Sequence, residues 1–172
     1  MVLRFHTFLF ADLVGFTEFT ARHGDDRAAD LAVEFHQRVC TLAGELGCHV
    51  VKAIGDAVMV RSEDTAAAVR LAKRILALAG ERGFLLARVG LDTGPATERD
   101  GDWYGSTVNI ASRVASAAGA GELLMTERTR AASAASAATE FADYGRRRLK
   151  GLPEHTLFGL PGGRVVTLGV TD

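Results

Sequence analysis

Cysteine is scarce in this chain. Cys40 and Cys48 are the only two among 172 residues, and their spacing matches no metal or redox motif. Free thiols in a reducing cytosol are the simplest account, which places the protein in the cytoplasm. Net charge is scarce as well: 20 basic against 21 acidic side chains leave −1 at neutral pH, which gives no electrostatic reason to expect a nucleic-acid partner. Long apolar runs are missing. No stretch approaches the roughly 20 residues that span a bilayer, so no membrane segment is expected. Met1 to Ala11 is too short for a secretory leader and lacks a cleavage pattern. There is no internal repeat, no linker, and no histidine in a motif that marks it as a general base. What remains is 48% hydrophobic and 24% charged, the balance of a soluble globular protein. Residues 1–172 read as one domain with a proper core.

Along the chain, Val2 to Ala11 reads as a first strand, with Phe8 to Ala11 as its buried run. Phe16 to Leu46 reads as helical, broken near His23–Asp26, with Leu31, Phe35, Val39 and Leu42 marking one buried face. Cys48–Lys52 and Ala57–Val60 read as a hairpin around Ile54-Gly55-Asp56. Thr65 to Ala79 reads as a second amphipathic helix with Asp64 as its N-cap. Leu85–Leu91 is a strand, Val108–Ala118 a helix and Glu122–Met125 a short strand. Ala131 to Ala138 is nearly all Ala and Ser, open to a helix or a mobile segment. Phe141–Lys150 and Thr156–Leu160 read as closing strands around Gly151-Leu152-Pro153. The order strand, helix, strand, strand, helix, strand predicts an α+β fold with a ferredoxin-like βαββαβ core and extra C-terminal strands.

Three segments carry chemistry. In Asp102-Trp103-Tyr104-Gly105-Ser106-Thr107-Val108-Asn109-Ile110-Ala111-Ser112-Arg113, the final polar pair stands four residues apart. On a helix that puts Asn109 and Arg113 on one face, and the forked, always-charged arginine suits a phosphate. Taken alone, such a pair is either a device for a charged transition state or a solvated helix face. In Phe8-Leu9-Phe10-Ala11-Asp12-Leu13-Val14-Gly15-Phe16-Thr17, a carboxylate ends a strand beside a helix N-terminus. That setting suits a metal and a polyphosphate, or a simple turn cap. In Val50-Val51-Lys52-Ala53-Ile54-Gly55-Asp56, a second aspartate sits at a hairpin tip, as a second oxygen ligand for a hard cation or as a plain turn residue.

Together the segments resemble the class III nucleotidyl cyclase catalytic domain, the adenylyl and guanylyl cyclase family, from about Phe8 to about Leu160. Four motifs stand in the family's order: F-A-D-x-x-G-F-T, K-x-x-G-D, R-V-G-x-x-T-G and D-x-x-G-x-x-V-N-x-A-S-R. The D-W-Y-G form resembles bacterial members. The resemblance implies that Asp12 and Asp56 bind two divalent metal ions, Mg2+ or Mn2+. It implies that Phe16 and Thr17 form the turn whose backbone meets the triphosphate, and that Arg88 contacts terminal phosphates. Lys52 and Asp102 match the pair that reads the purine, and Asn109 and Arg113 the transition-state residues. Lys150 matches a phosphate-binding lysine, although Arg146-Arg147-Arg148 beside it also reads as an exposed basic strand. Two departures from the family, Ala53 and Asp92, touch none of these roles, and Asp92 is left unassigned.

The implied reaction is ATP to 3′,5′-cyclic AMP and pyrophosphate, at two equal sites shared across a head-to-tail homodimer. Adenine presents an acceptor at N1 and a donor amino group at C6, which a lysine and an aspartate complement. Guanine reverses both, so Lys52 and Asp102 predict ATP over GTP. The acceptor of the ribose 3′ proton stays open among Asp12, water and the substrate. Competing readings are a cyclase-like nucleotide-binding regulator without turnover, a guanylyl cyclase, and a diguanylate cyclase or polymerase palm. The last lacks its turn motif here. Family members often carry membrane or sensor domains ahead of the cyclase domain, so the chain is either a stand-alone enzyme or a portion parted from a regulatory domain.

Overall fold

The computed structural model describes residues 4–81, 84–133 and 140–161. Strand β1 (Phe5–Leu13) leads through helices α1 (Phe16–His23) and α2 (Asp25–Glu45) into strands β2 (His49–Ile54) and β3 (Ala57–Ser62). Helix α3 (Thr65–Ala79) and strand β4 (Ala87–Pro95) follow, then a small ribbon of β5 (Thr97–Arg99) and β6 (Asp102–Tyr104). Helix α4 (Ser106–Ala117), strand β7 (Leu123–Thr126), helix α5 (Glu127–Ala132) and strands β8 (Ala142–Arg148) and β9 (Glu154–Leu160) complete the order. Seven strands form one sheet in the order β2-β3-β1-β4-β7-β9-β8, with only β4 and β7 parallel among neighbours. The first four strands with α2 and α3 are the expected βαββαβ core.

Period-two alternation assigns the faces. Leu9, Ala11 and Leu13 of β1 join Phe35, Val39, Leu71 and Ile75 in the main core beneath α2 and α3. Phe8 and Phe10 point the other way and pack with Met59, Val108, Ala111, Val51 and Trp103 under α4 and the ribbon. A third cluster ties Ile110 and Val114 of α4 to Leu124, Leu149 and Leu157. Helix α4 can lie this close because of Gly90: a Cβ there would stand 2.0 Å from the Ala115 backbone nitrogen.

Several expected boundaries shift. β1 runs through Leu13, so Asp12 is the penultimate residue of a strand laddered on both sides, not a residue beyond its end. β4 starts at Ala87 and extends to Pro95, because its partner register continues to Phe5. The helical break falls at Gly24, and α3 has the expected span with the Asp64 carboxylate accepting from the Ala67 N–H at 3.2 Å. α5 occupies Glu127–Ala132, and the rest of the expected Ala/Ser helix, 134–139, lies outside the described residues, as do Val2 and Leu3. Cys48 is buried, which pushes its thiol pKa up, whereas Cys40 is exposed. Among the described residues, no helix is long and apolar enough to cross a membrane.

Candidate active site

The strand register sets the first group of residues side by side. Asp12 of β1 pairs directly with Arg88 of β4, on the sheet face that α4 covers. Arg88 Nε donates to Asp12 Oδ1 at 2.7 Å and Nη2 to Oδ2 at 3.2 Å, a bidentate pair. Its Nη1 donates to the Ser116 carbonyl at 3.1 Å, in the last turn of α4, where a cation is favoured. The hydrogen bond to Asp12 raises the Arg88 pKa further, although burial works against it. Asp56, in the two-residue turn between β2 and β3, reaches the same place: its Oδ2 accepts from the Leu13 N–H at 3.0 Å. Gly15 then turns the chain at φ +80, the left-handed region that favours glycine, and α1 starts with no side-chain cap on its first N–H groups. Phe16 is half-buried and packs against the main core, so its backbone, not its ring, faces outward, while Thr17 is exposed.

The second group is assembled from β2, the ribbon and α4. Lys52 Nζ donates to Asp102 Oδ2 at 2.6 Å. The other carboxylate oxygen accepts from the Trp103 N–H at 2.8 Å. These two bonds, the lysine's first, hold the Asp102 carboxyl below its ordinary range, so it stays an acceptor. A bulge between Val50 and Lys52 breaks the alternation of β2: Val51 packs into the Phe8–Met59 cluster while Lys52 sits opposite Met59. Asn109 and Arg113 are exposed on α4, and among the described residues neither side chain makes a hydrogen bond or an ion pair. Lys150 is exposed in the turn between β8 and β9. Leu149 before it is buried against Ile110 and Val114, which ties that turn to the helix carrying Asn109 and Arg113.

Asp12 and Arg88 are thus bonded to each other, Asp56 is tied to the backbone one residue past Asp12, and Lys52 and Asp102 form a second bonded pair. No described hydrogen bond joins the two. Asp12 and Asp56 suit a hard divalent cation of the Mg2+ type, which takes one or two carboxylates and completes its shell with water and phosphate oxygens. Among the described residues, no three His, Cys, Asp or Glu side chains are grouped so as to hold an ion.

Three features near these groups were given no role from the sequence, the first of them Asp92, noted there and left unassigned. Asp92 is fully buried and bonded to Arg128, whose Nε donates at 2.8 Å, and to the Thr126 hydroxyl at 2.6 Å. It is a structural tie between β4, β7 and α5, which explains its presence away from the chemistry. His36 of α2 lies near Asp56 and Gly55, and burial holds its pKa below the ordinary value against both of them. The β5–β6 ribbon was the third, although Asp100-Gly101 announces it: both residues have positive φ, at 51 and 78, as a type I′ hairpin turn requires.

The family described as the adenylate and guanylate cyclase catalytic domain matches residues 5–162, and the chain belongs to it. An adenylate cyclase of Streptomyces griseus is 36% identical over 110 residues, covering 63% of this chain and 28% of that protein. A pH-sensitive adenylate cyclase of Mycobacterium tuberculosis is 34% identical over 153 residues, covering 85% of this chain and 38% of its own length. The chain therefore spans roughly a quarter to two fifths of these relatives. Among solved structures, an adenylyl cyclase of P. aeruginosa superposes with a TM-score of 0.75 at 24% identity, covering 94% of this chain and 95% of that one. A Trypanosoma brucei adenylate cyclase in its monomeric state gives 0.82 at 24% identity, covering 91% and 89%. Both show the same fold.

Proposed function

We propose that the chain is a catalytic domain that converts ATP to 3′,5′-cyclic AMP and pyrophosphate at two sites shared by a homodimer. The observation that carries the reading is the presence, in one chain, of two separate groups: the bonded Asp12–Arg88 pair with Asp56 held at the neighbouring backbone, and the bonded Lys52–Asp102 pair with Asn109 and Arg113, which make no side-chain bond among the described residues. The relatives named adenylate cyclase support ATP as the substrate.

In this reading Asp12, Asp56 and Arg88 come from one copy and Lys52, Asp102, Asn109, Arg113 and Lys150 from the other. Asp12 and Asp56 would hold two divalent ions, Mg2+ or Mn2+, together with the substrate, and bound ions would supply Lewis-acid polarisation of the phosphoryl oxygens. Arg88 carries its charge to the terminal phosphates, and the backbone N–H groups at Phe16 and Thr17 donate to phosphate oxygens in the turn. Lys150 adds a further positive charge there. Lys52 donates to adenine N1, and Asp102 accepts from the 6-amino group. Asn109 orients the ribose so that its 3′ oxygen lies in line with the leaving pyrophosphate, and Arg113 offsets charge that grows on the α-phosphate.

Mixing tests the shared site. Asp12→Ala and Asn109→Ala, each inactive alone, recover part of the cyclic AMP production when combined, because one of the two sites in the mixed dimer is intact. Mixtures that stay silent although heterodimers are present refute the shared site.

A further inference from the structure

The ribbon that carries Asp102 stands outside the main sheet: among the described residues β5 and β6 pair only with each other. Its base is closed by the Thr107 hydroxyl, which donates to the Pro95 carbonyl at 2.7 Å. Its far end, where Asp102 begins β6, is laddered to Arg99 across the turn but to no strand of the main sheet. The side chain that reaches into the protein from that end is Trp103. Its ring lies 4.6 Å from the His6 ring and 5.8 Å from the Phe8 ring, centroid to centroid. The Arg61 guanidinium stands over it at 4.7 Å. Arg61 is itself held, with Nη1 donating to His6 Nδ1 at 3.2 Å and a second contact to Glu63 at 3.6 Å. Since arginine has no acceptor, His6 accepts through Nδ1 and carries its proton on Nε2.

The same cluster receives the backbone next to both purine-reading residues. Val51, one residue before Lys52, and Trp103, one residue after Asp102, pack with Phe8, Met59, Val108 and Ala111. The Trp103 N–H also holds one oxygen of the Asp102 carboxylate. Asp102 thus owes its place to the residue that follows it, at the backbone and through the ring.

We infer that Trp103, anchored by Arg61, His6 and Phe8, is the positioning residue that fixes Asp102 against Lys52 and thereby sets the preference for adenine over guanine. The inference rests on the reading of Lys52 and Asp102 as the purine-reading pair. It makes Arg61 and His6 part of nucleotide selection.

Trp103 is the single tryptophan, so its intrinsic fluorescence reports the anchor without a label. Arg61→Met keeps the length of the side chain and removes the cation, and is expected to raise acrylamide quenching of Trp103. In turnover, Trp103→Leu is expected to raise the KM for ATP about tenfold, the loss of one cation–π contact and two ring contacts, and to lower the ATP-to-GTP ratio of kcat/KM by a similar factor. The change in kcat is smaller, Trp103→Phe restores most of the loss, and Arg61→Met falls between the two. A merely structural role lowers the active fraction, hence kcat, and leaves KM and the ATP-to-GTP ratio unchanged; that result overturns the inference. So does unchanged quenching in Arg61→Met, the variant that decides the matter if Trp103→Leu does not fold. A parent protein that takes neither nucleotide sinks the functional reading and the inference with it, whereas an active parent with unmoved selectivity in the variants sinks the inference alone.

Discussion

Gly90→Ala puts the packing argument under the most direct strain. The added Cβ would lie 2.0 Å from the Ala115 nitrogen, 2.4 Å from its Cα and 2.6 Å from the Val114 carbonyl carbon. All three are backbone atoms of α4, so no side chain can swing aside. Ordinary contact begins at 3.4 Å, so the helix must retreat by about 1.4 Å. Val114 and Ala115 are 0% and 4% exposed, and the retreat opens the seam they fill. Overpacking costs about 1–3 kcal/mol, and a clash with fixed backbone belongs at the upper end, about 3 kcal/mol. For a domain of this size that lowers Tm by roughly 6–12 °C. The same movement displaces Asn109 and Arg113; if they act as proposed, a displacement of about 1 Å costs on the order of a hundredfold in turnover. Thermal unfolding and turnover measured well below the lowered Tm separate the two effects. Gly44→Ala is the control: nothing lies within 4 Å of its Cβ position, in α2, and the change is expected to stabilise by about 0.5–1 kcal/mol. A Gly90→Ala protein with unchanged Tm and turnover would refute the claim that this close approach positions the helix carrying Asn109 and Arg113.

Three further expectations follow from the site. Lys52→Glu with Asp102→Cys reverses the hydrogen-bond pattern offered to the purine and should move the ATP-to-GTP ratio of kcat/KM by at least about a hundredfold toward GTP; a retained ATP preference shows that the pair does not read the base. Asp12→Asn should abolish turnover yet lower Tm by only about 2–4 °C, because the Arg88 pair is partly exposed and worth about 1 kcal/mol; robust activity would remove Asp12 from the chemistry. His6 is held below its ordinary pKa chiefly by burial and then by Arg61, with Arg4 adding and Glu63 and Glu98 opposing. The unfolded chain therefore binds the proton first: the contribution of His6 to stability is complete above about pH 6.5 and falls as pH drops from there toward its folded value. A Tm series from neutral to mildly acidic pH should show a shallower acid-side loss in His6→Gln, and an identical profile would contradict the assignment.

Much of this was legible in the residues because it is local. The Asp64 cap and the apolar spacing of α3 gave its span residue for residue. The run from Phe8 to Ala11 identified β1, and Gly55-Asp56 its hairpin neighbour. The boundary of β1 was not legible, since Asp12 and Leu13 remain in the strand only through their ladder to Arg88 and Ala87, 76 and 74 residues away, as the register Asp12↔Arg88 and Leu13↔Ala87 shows. The motifs named Lys52 and Asp102 but not what holds them. Val51 reaches the cluster through a bulge, which no alternation pattern announces, and the partners of Trp103 come from β1 and β3. Asp92 was unassignable for the same reason: its meaning is Arg128, which stands on a different element. By contrast, Asp100-Gly101 carried a readable turn signal for the ribbon.

The central claim is the conversion of ATP to a cyclic nucleotide at Asp12 and Asp56. The measurement that tests it most directly is product analysis after incubating the purified protein with ATP, and separately with GTP, in the presence of Mn2+, beside an Asp56→Ala control and across a range of protein concentrations. Cyclic AMP from ATP in excess over cyclic GMP from GTP, rising with dimer concentration and absent from the control, is the predicted result. No cyclic product at any concentration at which the dimer is present, or equal product from Asp56→Ala, would contradict the account.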